Sequence, residues 1–481
     1  MKGQLTVFFA MIMTTILSLA VALIDGARYS AMRLEIATVH QTAGNSVLAQ
    51  YHRLLFERYG LLFFSTTDLG KKNMEFINYN FARDSLGLIL GTRDLLSLRA
   101  EENQLESITL ATDSAGMVLR RQCVECMEER YGISYLEQMA EMFYLVEEQG
   151  LLEEDLTYQI CDEEWSEERI RADTEIFLQE TMIPSSFHYL EKEALKFLLG
   201  KAQYSEKALD GESLASQRTL LKGDGLSTQK GFKNSQWDQL LFVEYILDYT
   251  GNYVTPLKDG YLLYQTEYIL SGEEMDGVNL WNVVNQLLQI RTCANAIGIL
   301  ADENRNSLLG ELSNSLAAAL GNPEVEPVIY AALMILWAEI EGIYDVRNLL
   351  QGEGVSLLKA NEDWLIDVST IADLAVISDA REIDGEEKPL LGEGLQEEAE
   401  EDSALIDKGK MTYEDYLRLL LWFQDGETTA MRLMDVIESD IRELEDQSSF
   451  CLDMYADQFR VKTKVKSAYG QEFWITREYG Y

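Results

Sequence analysis

Residues 3–24 read GQLTVFFAMIMTTILSLAVALI, a run without a single charge, and within Leu5–Ile24 only Thr6, Thr14, Thr15 and Ser18 interrupt its apolar character. At ~1.5 Å of helical rise per residue the run covers roughly 33 Å, enough to cross a hydrocarbon core of roughly 30 Å. A cleaved secretory signal is the competing reading, since Lys2 supplies a positive start and Ala20-Val21-Ala22 a small-x-small site. The run continues through Leu23 and Ile24, beyond the ~7–15 residues of an ordinary signal core, and so favours a retained anchor. A buried helix of a soluble domain is the third reading, and so long an uncharged stretch speaks against it.

Past the run, Ala27, Ala31, Leu34, Ala37, Thr38, Gln41 and Gly44 keep spacings of three and four, and Gly44-Asn45 is the first turn signal. Val47, Leu48, Tyr51, Leu54, Leu55 and Tyr59 then resume a helical period. The pattern predicts one long helix leaving the membrane. Its small and apolar stripe must be buried against the chain's own body or a neighbouring copy.

The residues at both ends of the span carry a resemblance. Gly3-Gln4-Leu5-Thr6-Val7-Phe8-Phe9-Ala10, followed by Leu23-Ile24-Asp25-Gly26-Ala27-Arg28-Tyr29, resembles the amino-terminal segment of TadE/TadG-like proteins of the Flp (tight-adherence) pilus system. The likeness covers about the first 60 residues, with Gly3, Asp25, Gly26 and Arg28 in the motif positions. Pilins and TadE-type pseudopilins carry Glu five residues after the processing glycine; here that position is Phe8, closer to the TadG-like pattern, which implies a protein that stays anchored. The whole chain also resembles an uncharacterised family of Gram-positive membrane proteins. Charge leaves the orientation near a tie, with Lys2 on one side and Arg28 and Arg33 on the other. The resemblance implies a cytoplasmic N-terminus and an extracytoplasmic body, single-pass in the cell membrane.

Of 481 residues, 40 are Lys or Arg and 82 Asp or Glu, a formal charge of −42 that gives no support to a nucleic-acid partner. Forty-seven per cent hydrophobic residues and five prolines describe a folded body, and five scattered cysteines do not make a disulfide scaffold. Residues 382–407 hold eleven carboxylates and one lysine, a solvated, mobile insertion that accounts for only −10 of the charge.

The body reads as mixed helix and strand. Leu105–Thr112 alternates as a strand, with Asp113 or Ser114 placed to cap the following helix. Residues 134–149, 164–181 and 187–199 have helical periods, and 205–234 is a polar boundary or long loop. Trp237–Tyr249, Asp276–Ile297, Glu303–Leu320 and Tyr330–Leu350 are helices, and the apolar run Val328–Trp337 is too short to span a membrane. Tyr261–Leu270 alternates as a strand. Thr412 with Asp415 makes a near capping box for a helix or helix pair, and 459–466 with 472–476 forms a hairpin across Tyr469-Gly470, expected to pair with Tyr261–Leu270. The fold class is therefore α+β, predominantly helical, with a single transmembrane helix running into a long helix and a small antiparallel sheet backed by helices. The divisions are 1–60, 61–204, 205–234, 235–381, 382–411 and 412–481.

Signals of chemistry are sparse. His40, His52 and His188 have no metal-ligand spacing, Cys123-x-x-Cys126 lies within a helical period without a second pair, and no phosphate loop or nucleophile elbow occurs. Neither catalytic residues nor a cofactor is implied. The favoured reading is a non-enzymatic assembly component: a pseudopilin-like subunit held in membrane lipid. Ala10, Ser18, Ala20, Ala22, Gly26, Ala27 and Ala31 would let its helix approach pilin-like partners or further copies. The alternative is an anchored extracytoplasmic enzyme or ligand-binding domain.

Overall fold

A computed structural model describes residues 2–68, 71–72, 75–89, 96, 98–128, 130, 198, 205–224, 235–360, 363–371, 410–444 and 446–481. The helices expected at 134–149, 164–181 and 187–199 (Leu198 apart), His188 and the acidic stretch 382–407 lie outside the described residues. The chain forms two units, neither of them a continuous stretch: residues 1–130, 211–245 and 425–481 make the first, and 131–210 with 246–424 the second. The predominantly helical α+β class with a small antiparallel sheet and a long N-terminal helix is what the structure shows.

The first unit begins with α1 (Lys2–Leu48), a helix of 47 residues. It passes through the predicted break at Gly44-Asn45, because Gly44 serves packing there and not a turn. A Cβ at Gly44 would meet the Tyr479 ring at 2.2 Å, so only a glycine lets the ring lie on the helix backbone. After α2 (Arg53–Tyr59) and the short strand β1 (Phe64–Ser65) come α3 (Glu75–Ile89) and β2 (Leu98–Leu110). The expected strand at 105–112 is thus longer and earlier. Neither Asp113 nor Ser114 caps the next helix: Ser114, Ala115 and Gly116 turn at positive φ, and α4 starts at Met117 and runs to Glu128. Asp113 instead accepts the amides of Leu110 and Gly223.

The C-terminal hairpin forms as expected, β3 (Tyr455–Ser467) against β4 (Glu472–Gly480), turning at Gly470 with φ 82°. Its other partners are β2, antiparallel from Leu98↔Ser467 to Leu110↔Ala456, and the short β1, with Phe64 opposite Ala456, not the Tyr261–Leu270 segment. That segment is helix α6 (Gln265–Ser271), closed by Gly272 at φ 79°. Alternation along β3 divides the sheet into two faces. Phe459, Val461, Thr463 and Val465 turn inward, while Arg460, Lys462, Lys464 and Lys466 are more open to solvent. Against the inner face lie α1 and α3, burying Met32, Ile36, Val39, Ala43 and Val47 with Ile77, Phe81, Leu98 and Phe473. Each of these side chains other than Ala43 contributes about 1.5–3 kcal/mol by leaving water.

The segment 205–234, expected as a boundary or long loop, is built into structure over its described part. Residues 211–213 form a 3₁₀ turn, and Arg218 binds Glu438 through both terminal nitrogens at 2.6 and 2.7 Å. The chain passes from the first unit to the second within α5 (Gln236–Tyr249).

In the second unit, α7 (Asp276–Ala301), α8 (Glu303–Ala319) and α9 (Glu326–Leu350) pack around Ile299, Leu309, Leu333, Met334, Trp337 and Ala338. By length and composition Pro323–Leu350 is also apolar enough to cross a bilayer, yet this helix is a core element whose charges are neutralised inside the unit. Arg291, fully buried, donates to Asp345 at 2.9 and 3.0 Å and to Tyr416 Oη at 3.0 Å. Lys359 bridges Glu341 at 2.5 Å and Asp345 at 2.6 Å. Two buried cations against two buried carboxylates leave no net charge, the condition under which such groups are tolerated in a core. α10 (Tyr413–Phe423) carries the capping box in full, Thr412 and Asp415 each receiving the other's backbone amide, and α11 (Gly426–Arg442) returns the chain to the first unit.

Candidate membrane-proximal interface

The inner half of α1 is bare. From Val7 onward the residues up to Ala27 are exposed, and the window of highest hydropathy, at a mean of 2.5, has none of its surface covered by the protein. The hydroxyls of Thr14 and Thr15 donate to the Met11 carbonyl and that of Ser18 to Thr15, so these polar groups are satisfied within the helix, as a lipid environment requires. The outer half is docked. Tyr29 lies 5.3 Å from the Phe473 ring, and the Arg28 guanidinium sits 4.3 Å above the Tyr469 ring at the hairpin tip. Arg477 donates to Gln41 at 2.8 Å, and Tyr481 Oη donates to the Leu48 carbonyl. β4 therefore runs alongside α1, its tip toward the bare apolar half and its last residues beside Leu48.

His40 is the polar centre of this contact, 3% exposed, with Tyr479 Oη against Nδ1 and Thr463 Oγ1 3.2 Å from Nε2. Burial, with Arg477 adding repulsion, pushes its pKa down to about 4, so the ring is neutral near pH 7. Among the motif residues, Asp25 lies 3.9 Å from Arg28, and it is Arg28 that reaches the hairpin. Gly3 falls in the first turn of α1.

The small residues named from sequence do not form one stripe. Ser18, Ala22 and Gly26 stand four apart on one line of the helix, whereas Ala20, Ala27 and Ala31 follow another; Ala10 falls on neither. All are exposed, and a Cβ at Gly26 would meet nothing within 4 Å. Of the stripe expected to be buried, Ala27, Ala31, Leu34, Thr38 and Gln41 are exposed, with Leu34 at 70%, Ala37 is half-buried and only Gly44 is buried. The body takes the opposite face, Met32, Ile36, Val39, Ala43 and Val47, where the longer Met32, Ile36, Val39 and Val47 fill the space over the sheet and Ala43 sits where it is closest. Sequence reasoning missed His40, Tyr469, Phe473 and Tyr479 as docking residues. The aromatic positions along β4 were the available signal, but nothing local ties residue 28 to residue 469.

Other groups with chemical potential are closed off. Cys123 is buried, and burial drives its thiol well above the usual range; Cys126 is partly buried on the same helix. No cluster of three metal-binding side chains occurs among the described residues. His52 caps α2 by accepting the Leu55 amide. In the second unit a cleft of about 360 Å³ is lined by Asp302, Arg305, Trp337, Trp364 and Asp367 among others, with Arg305 stacked 4.3 Å over Trp364 and Trp364 Nε1 buried without a partner.

The chain matches no curated protein and no solved structure. Residues 179–467 match DUF5702, a family of unknown function, and leave α1 and β4 outside the matched region. Since that match takes in well over half of the sequence, the chain belongs to the DUF5702 family.

Proposed function

We propose that the protein is a membrane-anchored structural or assembly component of a Flp/Tad-type pilus or a related secretion apparatus, TadE/TadG-like and pseudopilin-like in its amino-terminal segment. The observation that carries the reading is the division of α1 into a bare apolar half and a half fixed to an antiparallel sheet. The face holding Ala27, Ala31 and Leu34 is left over for a second helix. Helices associate in lipid through small residues that permit close backbone approach, and both Ser18-x3-Ala22-x3-Gly26 and Ala27-x3-Ala31 supply them. The N-terminus is placed in the cytoplasm and the acidic body outside the cell, which protease shaving of intact cells with mass spectrometry of the retained peptide tests directly.

Replacing Ala27 and Ala31 with Leu removes close approach on that face without touching the docked side. Crosslinking to pilin-like proteins or to other copies is expected to fall while membrane insertion persists; unchanged crosslinking would reject the assembly role. The cleft around Arg305 and Trp364 favours a second reading, an anchored domain that holds a small ligand carrying an acidic or aromatic group. That reading predicts no helix partner for α1.

A further inference from the structure

We infer that the end of the first unit nearest the span is a lipid-headgroup contact, an arginine-bearing and aromatic edge that rests on the anionic phospholipids of the bilayer holding α1. The inference rests on the anchored reading of α1 and adds to it what the body does at the membrane surface.

The argument begins with distance along an unbroken helix. With Leu5–Ile24 in the hydrocarbon core, Arg28 stands four residues beyond it, ~6 Å, within a headgroup layer of roughly 5–8 Å per leaflet. Because Arg28 lies over Tyr469, the hairpin tip is held at that same depth. Side chains of a helix tilt toward its N-terminus, which here is the direction of the membrane. Arg33 accordingly reaches back over the Tyr29 ring, 4.9 Å from its centroid. β2 starts at this end too: Leu98 pairs with Ser467, and Arg99 with Lys466.

The composition of this edge differs from that of the chain as a whole. Three aromatic side chains are open to solvent here, Tyr469 at 54%, Trp474 at 52% and Tyr29 at 39%. Aromatic rings with one polar edge are the residues that settle at headgroup level. Lys464 and Lys466 are balanced by Glu101 and Glu472 at 3.3–3.7 Å, so they add no excess charge. Arg33 and Arg99 pair with no carboxylate among the described residues, and Arg28 has only Asp25 at 3.9 Å; with the exposed Glu35 and Glu102 counted, this edge is about neutral in a strongly acidic chain and presents unpaired guanidinium groups. Guanidinium groups bind phosphate oxygens in a two-pronged fashion, and three of them beside the span complement an anionic leaflet. In a chain of charge −42, that edge is where a negative surface is met without repulsion.

The test uses the full chain reconstituted in vesicles of phosphatidylcholine, alone or with phosphatidylglycerol, containing a trace of lipid with a photoreactive group on either the headgroup or the acyl chain. Expected are headgroup crosslinks to residues 467–474 and 28–33 that strengthen with phosphatidylglycerol. They should fall roughly fivefold for each of Arg28→Gln, Arg33→Gln and Arg99→Gln. Arg99→Gln lies apart from α1, and circular dichroism confirms that each variant stays folded. Headgroup crosslinks of equal yield in phosphatidylcholine alone would overturn the charge recognition. Acyl-chain crosslinks to residues 5–24 with none at 467–474 would overturn the contact and leave the anchor standing. A chain that does not float with the vesicles would overturn the anchored reading and the contact together.

Discussion

At the scale of single residues, Gly44 and His40 decide how α1 meets the sheet. Alanine is the better helix former by about 1 kcal/mol, so Gly44→Ala would stabilise a free helix. Here the added methyl collides with a Tyr479 ring fixed by its bond to the His40 carbonyl, and overpacking of that kind costs about 1–3 kcal/mol. The steric term wins: urea denaturation is expected to show a net loss for Gly44→Ala, and a net gain would disprove the packing role. His40 has its folded pKa depressed to about 4 from an ordinary 6.5, so protons bind the unfolded chain more readily. Its contribution is present above about pH 6.5 and is lost as pH falls toward 4, a decline of up to about 3 kcal/mol. His52, also lowered by burial, acts in the same direction. His40→Phe should flatten that acid limb in unfolding measured from pH 7 to 4; an unchanged limb would reject the assignment.

At the scale of elements, sequence period was reliable where it extended over many residues. The helices near 276–297, 303–320 and 330–350 and the hairpin at 459–476 form where their patterns place them, and so does the cap at Thr412. Tyr261–Leu270 failed because seven helical residues offer too few turns to separate a period of 2 from one of 3.6. Every residue from Gln265 to Leu270 is buried, which erases the polar face that marks a surface helix. The buried Gln265, Thr266 and Glu267 are used locally, Gln265 accepting the Gly251 amide and Glu267 that of Tyr253. Gly44 misled for a related reason, since a glycine that admits a ring and one that ends a helix look alike in sequence. Thr412→Ala removes the reciprocal cap of α10 and is expected to cost about 1 kcal/mol, read as a shift of the denaturation midpoint at constant slope.

At the scale of the molecule, buried histidines and buried carboxyls respond to pH in opposite senses, the histidines in the first unit and the carboxyls in both. Glu267 of the second unit is fully buried, its Oε2 has no partner, and burial raises its pKa to about 7; half-buried Glu339 is raised to about 7 by the same cause. A raised carboxyl stabilises the fold below about pH 4.5 and loses that contribution as pH climbs through 7. Glu267→Gln should therefore lessen the loss of the second unit's stability from pH 5 to 8, with the part due to Glu339 remaining, in hydrogen-exchange protection factors (exchange corrected for its intrinsic pH dependence) resolved to α6 and α10, while protection in α1 and β4 keeps its own acid dependence. A Gln variant whose protection factors fall toward pH 8 as steeply as those of the unaltered protein would sink the assignment. The candidate interface was legible only by half. The span, Arg28 and the exposed small residues are local and stood in the sequence; the partner surface, from Tyr469 to Tyr479, comes from the far end of the chain and is joined to them by tertiary packing alone.

The continuity of α1 from Lys2 to Leu48 has a mechanical result. On the anchored reading proposed above, a helix without a joint between its bare and docked halves, gripped at Arg28 and again at His40, works as a rigid mast, and the sheet must follow its inclination. Thicker membranes draw a spanning helix upright and thinner ones let it lean. Bilayer thickness would thus set the attitude of the first unit over the surface and the direction in which Trp474 and the strand-borne lysines point.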